Sequence, residues 1–426
     1  MKEEFIYYLW ENKLLRKDLI STDQEPVEIL HSGYRNSNAG PDFLNARIKI
    51  GTTVWAGNVE IHVISSDWLL HNHQHDKAFD NVILHIVYQE DKKIFTTENQ
   101  PIPTVEIKGM FDENIFLRYH DFINSKHWIA CEKQVGTVQH FTWLSWLDRL
   151  IVEKLEMKID LLKQLFIDSK SDWEETFYRR LMINLGFKVN DNAFEQLARS
   201  IPINLLLRHA DKLHEIEALL FGQAGMLEKE FNDRYPNQLR ETYSFLAKKY
   251  PIKPMNESSW RFMRLRPANF PTIRIAQFAS LIHEQGQLFS KIVEVESVDA
   301  ISDIFRGTAS TYWDIHYQFD KQAENRKKQM GDEAVNLLLI NSVVQMLFFY
   351  GQYIENESLT DKALMILESI EPENNQTIRK YTEFGVQINN ALQSQALLFL
   401  KSHYCDQKRC IECRVGQILL NQSQTI

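Results

Sequence analysis

Asn58, Glu60 and His62 stand at alternate positions of one apolar run, and Asp42 follows Pro41 a short distance upstream. Alternate residues of a strand project to one face. The three polar side chains should therefore line up together, with Val59, Ile61 and Val63 behind them. Two carboxylates brought together on a sheet can hold a divalent cation, and a bound cation can activate water against a phosphodiester. The stretch from Gly40 to His62, GPDFLNARIKIGTTVWAGNVEIH, is thus expected to carry metal-dependent hydrolysis.

Pro41-Asp42, a hairpin, and then Glu60-x-His62 resemble the PD-(D/E)XK nuclease pattern, with His62 where that family has lysine. The resemblance implies that Asp42 and Glu60 bind Mg²⁺ (or Mn²⁺) and that the third residue orients or activates water. An imidazole can serve as base or ligand near neutral pH, but it cannot imitate a permanent ammonium. Asn58, in line with Glu60, is expected to orient water or substrate. Register sets a condition. If Gly51-Thr52 is a two-residue turn, Ile50 pairs with Thr53 and Asp42 falls opposite Ile61, away from Glu60. A bulge is required to bring the two acids to one face, and Gly57 is a plausible place for it.

The elements that must hold these residues read as a small mixed domain. An amphipathic helix is expected over 3–15, with Phe5, Leu9 and Trp10 on or near one stripe. Strands are expected over 27–30, 43–50, 54–64, 81–88 and 103–107, separated by turn-forming residues, with a short helix or loop at 67–80. After about residue 115 apolar residues recur every three or four positions. This predicts helices over 143–166, 173–186, 212–227, 333–351 and 377–401. The fold class is α+β: a restriction-endonuclease-like α/β domain over 1–115, then a larger all-α domain over 116–426.

The segment Asp67-Trp68-Leu69-Leu70-His71-Asn72-His73-Gln74-His75-Asp76 is dense in metal-ligand types. It resembles the H-x-H-x-D-H string of metallo-β-lactamase-like hydrolases with the last two residues exchanged. His71, His73 and His75 could bind zinc on an extended loop. Alternatively His71 or His73 folds back towards Glu60 and supplies what the absent lysine would have done. His85, inside an apolar strand, reads as a hydrogen-bonded core histidine.

Three of the four cysteines crowd the C-terminus as Cys405-x4-Cys410-x2-Cys413. Four ligands complete a tetrahedral zinc site or a [4Fe–4S] cluster, and Cys131 and His403 compete as the fourth. Thiols holding no metal are the plain alternative. With Cys131 the arrangement resembles the iron–sulfur staple of some recombination-associated PD-(D/E)XK nucleases, although the spacing differs.

A net charge of −9 over 426 residues excludes a protein that coats nucleic acid with its whole surface, but not a local basic groove. Residues 248–274 interleave Lys248, Lys249, Lys253, Arg261, Arg264, Arg266 and Arg274 with Tyr250, Trp260, Phe262 and Phe270. That composition suits single-stranded DNA or RNA, and equally suits charged stems packed over aromatic helices. The acidic N-terminus lacks a signal-peptide pattern and no uninterrupted apolar run reaches bilayer length, so a cytoplasmic protein without a membrane segment is expected.

The blocks GPDF, GNVEIH, SDWLLHNHQHD, NVILHIVY, EALLFGQAGML, RLRPANFPTIRIAQ, SQALLFLK and YCDQKRCIEC together resemble a bacterial family classed only as a domain of unknown function, over nearly the full length. Three functions follow as expectations. The first is a metal-dependent nucleic-acid phosphodiesterase. The second is a catalytically inactive nucleic-acid- or protein-binding module on the same fold, and the third a zinc hydrolase built on His71, His73 and His75.

Overall fold

The computed structural model describes residues 1–422, which form two compact units. The first comprises Met1–Trp143 and the segment from Lys401 onward; the second is Leu144–Leu400. The sequence places the division near residue 115, where helical spacing begins. The first helix after that point, Glu113–Asn124, nevertheless belongs to the first unit. Its Phe116 and Tyr119 rings lie 5.3 and 4.9 Å from Phe5 of the N-terminal helix. A change of periodicity marks a change of secondary structure, and this helix caps the sheet unit.

In the first unit, helix α1 (Glu3–Glu11) buries Phe5, Ile6, Tyr8, Leu9 and Trp10. Among the described residues, seven strands form one sheet. They are β1 (Leu19–Ile20), β2 (Pro26–His31), β3 (Tyr34–Arg35), β4 (Phe43–Ile50), β5 (Thr53–Ile64), β6 (Val82–Gln89) and β7 (Thr104–Glu106). The order is β1-β2-β4-β5-β6-β7, with β3 also pairing with β4. Pairs from β1 to β5 are antiparallel, whereas β5–β6 and β6–β7 are parallel. A parallel pair needs a crossover. Here the crossover holds a short helix α2 (Asp67–Leu70) and two 3₁₀ turns, His73–His75 and Lys77–Phe79. Beneath it Trp68, Phe79, Val82, Ile94 and Ile102 form a buried apolar cluster.

The second unit is mostly helical, with one short antiparallel hairpin, His316–Gln318 with Lys321–Gln322, that helical spacing does not announce. The expected helix 377–401 is two helices, Gln376–Glu383 and Ala391–Leu400. Gly385, at φ 87°, ends the first. Its amide donates to the Thr382 carbonyl and that of Val386 to Tyr381, a Schellman closure that favours glycine. The apolar stretch Asp332–Tyr353 is long enough to cross a membrane, yet 72% of its most apolar window is buried in the protein. That is the burial of a core helix.

Candidate metal centre

The β4–β5 hairpin starts in the register expected from a tight turn, with Ile50 opposite Thr53 and Ala46 opposite Gly57. The register then shifts between Ala46 and Phe43, so that Phe43 pairs with Val59. The bulge lies on β4, where Asn45 adopts the left-handed conformation at φ 58°. Gly57, opposite it, has another duty. A Cβ there would come within 2.4 Å of Ile83 Cγ2 and 2.6 Å of the Asn81 carbonyl oxygen. The Asn58 side chain pins the bulge, its Oδ1 accepting the Asn45 amide at 3.3 Å.

One residue of slip carries Asp42 from opposite Ile61 to opposite Glu60. The Asp42 amide donates to Glu60 Oε2 at 3.0 Å, and Asp42 Oδ2 accepts the Ile61 amide at 3.0 Å. Tyr7 of α1 donates its hydroxyl to Asp42 Oδ1 at 2.9 Å. Burial, and then the charge of Glu60, push the Asp42 carboxyl up to about 7.

Glu60, His62 and His85 share a face because β5 and β6 run parallel with Glu60 beside His85. All three are buried. His62 Nδ1 lies 2.8 Å from His85 Nε2, and His62 Nε2 lies 3.1 Å from His71 Nδ1. Burial first, then the neighbouring imidazoles, pull His62 down to about 2 and His85 to about 3. Both rings are therefore neutral at physiological pH, the form that ligates metals.

The crossover delivers two more imidazoles. Asn72, left-handed at φ 63°, reverses the chain after α2 and turns His73 towards the sheet. The His73 ring stacks on Phe79 at 3.8 Å between centroids and meets Trp68 edge-on at 5.3 Å. Its Nε2 stands 3.4 Å from Glu60 Oε1, which is also 3.7 Å from His62 Nε2. One nitrogen from each of His62, His71 and His73 falls within 4.8 Å of the others, spacings that suit ligands around one ion. His71 and His73 both fold back to β5, whereas His75 is exposed and outside this set.

Two participants carry no motif. Glu3 and Tyr7 lie four residues apart, hence on one face of α1. The carboxyl of Glu3 is raised by burial and by the charges of Asp67, Glu4 and Glu60. Their helical spacing was the only available signal. His85 read as a core histidine, and it is one, but its hydrogen bond is to the site.

In the second unit, the aromatic residues of 248–274 pack. Trp260 is buried, with Nε1 donating to the Ala224 carbonyl at 2.8 Å, and Arg274 is buried against Phe187 and Gln277. Arg261, Arg264 and Arg266 are exposed.

Residues 3–376 match the family described as "Protein of unknown function (DUF2851)". The chain belongs to that family. No curated protein and no solved structure shows a significant match to it.

Proposed function

We propose that this member of the DUF2851 family is a metal-dependent phosphodiesterase acting on nucleic acid, built on a restriction-endonuclease-like sheet. The observation that carries the reading is the meeting of Asp42 and Glu60 across the β4 bulge, beside three imidazoles on the same unit. The element order supports it: a helix, antiparallel strands, a short helix and a parallel strand.

The donor set speaks to the cation. Three imidazoles with one carboxylate suit Zn²⁺ or Mn²⁺ better than Mg²⁺, which prefers oxygen ligands and water. His62, His71, His73 and Glu60 would hold it. A cation bound there lowers the pKa of bound water and polarises a phosphoryl oxygen. The remaining work falls to the protein. His85 fixes the His62 ring through Nδ1, leaving Nε2 towards the centre, as outer-shell partners of metal-binding histidines do. Asp42, whose carboxyl burial raises above the usual carboxylate range, is the group placed beside Glu60 to take up and release a proton. His62 thus acts as a ligand, a role lysine could not fill at this pH.

The test is cleavage of labelled single- and double-stranded DNA and RNA with Mn²⁺, Zn²⁺ or Mg²⁺. Cleavage is expected with Mn²⁺ or Zn²⁺ and should fall about 10²-fold or more in Glu60→Gln, a loss typical of removed acid–base or electrostatic groups. Unchanged cleavage in Glu60→Gln overturns the assignment. The nitrogen-rich donor set also favours a second reading, a zinc hydrolase of another substrate. That reading is supported if the protein binds Zn²⁺ through His73 yet cleaves no nucleic acid.

A further inference from the structure

We propose that Cys131, Cys405, Cys410 and Cys413 form a four-thiolate site for a thiophilic metal centre, zinc or an iron–sulfur cluster, that staples the C-terminal segment to the first unit. The inference rests on this unit's thiols alone and is independent of the phosphodiesterase reading.

The sequence leaves the fourth ligand open between Cys131 and His403. In the fold, Cys131 lines one small cavity with Cys405, Cys410 and Cys413, closed by Phe122 and Tyr404. His403 is not among the residues that line this cavity, and its Nδ1 bonds the Ser402 hydroxyl at 2.7 Å. The cysteines that line the cavity come from two chain segments far apart in sequence, and Cys131, Cys410 and Cys413 are thiols rather than disulfides. Such a grouping is what tetrahedral zinc or an iron–sulfur cluster requires.

Backbone geometry gives a second, independent indication. Cys413 is the N-cap of the helix Arg414–Asn421, so its thiol stands at that helix's N-terminus, where the backbone amides of Gly416 and Val415 act to lower its pKa. Such amides stabilise a thiolate. Gly416 permits the approach: a Cβ there would lie 2.0 Å from the Cys410 carbonyl oxygen. Residues 401–405 form a π-helical turn that sets Cys405 towards the cavity, and such turns are frequent at functional sites. Burial, and then the neighbouring sulfurs, push Cys410 and Cys413 up to about 12. A bound cation reverses that balance, each thiol releasing its proton as it coordinates.

The surroundings fit a structural staple. Lys408 donates to the Ser125 carbonyl, Arg118 Nε to the Leu420 carbonyl at 2.7 Å, and Asn421 Nδ2 to the Tyr8 hydroxyl at 2.7 Å. Every one of these bonds joins the C-terminal segment to α1, to helix Glu113–Asn124 or to the residue that follows it.

The experiment is metal and sulfide analysis of the full-length protein purified without oxygen, with its visible spectrum. Zinc that a mercurial releases from a colourless protein, or iron and sulfide with broad visible thiolate-to-iron absorption, supports the site and distinguishes the two centres. Cys131→Ser and Cys413→Ser should each hold one metal centre fewer than the wild type, whatever the histidine centre of the same unit retains. Where a variant fails to fold, the wild type decides: a mercurial should release the metal in step with titration of the thiols. Native protein in which the thiols titrate with no metal released overturns the proposal, as does an undiminished metal content in a folded Cys131→Ser.

Discussion

Asp42 and Glu60 are joined through a backbone amide: the Asp42 N–H donates to Glu60 Oε2 at 3.0 Å, while the Asp42 carboxylate reaches past it to the Ile61 amide. The bond exists only because β4 carries one extra residue. Asn45, which supplies the left-handed turn of that bulge, therefore controls a site in which it takes no chemical part. Asn45→Gly should preserve cleavage and metal affinity. Asn45→Val, β-branched at positive φ, should cost about 1–3 kcal/mol and lower metal affinity. Urea unfolding and calorimetric titration with Mn²⁺ check both. Equal behaviour of the two variants would break the link between bulge and site.

His73 and His75 differ by two positions and should differ sharply in effect. His73→Ala should weaken Zn²⁺ or Mn²⁺ binding about 10-fold or more, while His75→Ala should leave it unchanged. The larger effect follows from lost coordination, since outer-shell changes alone reach about 10–100-fold. Titration calorimetry resolves the two, and a strong loss in His75→Ala would point to a different ligand set.

His85 has no path to solvent and should act through His62. His85→Phe keeps the volume and removes the hydrogen bond that fixes the ring. Metal affinity is expected to drop about 10–100-fold with thermal stability little changed. A variant that binds metal normally would make His85 merely a core residue.

Glu217 gives a pH prediction in the second unit. It is buried, accepts hydrogen bonds from Tyr235 and from Ser310 (2.8 Å), and burial pushes it up to about 7. A carboxyl raised on folding binds more protons in the native than in the unfolded state between its ordinary value and 7. Stability therefore falls as pH rises through that window and levels off above it. The cost at high pH is about 3 kcal/mol, on the order of 1.4 kcal/mol for each pH unit. Glu217→Gln, which cannot ionise, should show a smaller fall in denaturation midpoint between pH 5 and 8. Parallel curves for the two proteins would contradict the assignment.

Gly57→Ala tests the close approach of β5 to the loop before β6. Its methyl would collide with Ile83 and the Asn81 carbonyl, and overpacking of this kind costs about 1–3 kcal/mol. The urea midpoint should drop accordingly. An unchanged midpoint would show that the loop yields freely.

Much of the sheet was legible in the sequence because its signals are local. Alternation and turn chemistry gave the five main strands, as in Phe43–Ile50 and Val82–Gln89, and helical spacing gave Trp173–Leu185 and Leu213–Gln223. Glu60 and His62 could be set on one face from a period of two alone. What the sequence could only pose as a condition was the register of Asp42, since a bulge depends on which conformation Asn45 adopts between two paired strands. The domain division escaped as well, because Glu113–Asn124 and the C-terminal segment join the sheet unit through contacts remote in sequence. Tertiary structure alone brought His71 to His62 and His73 to Glu60, left His75 outside, and set Cys131 in one cavity with the other three cysteines. Side chains far apart along a chain meet only where packing and parallel strand pairing bring them, and no local periodicity encodes that.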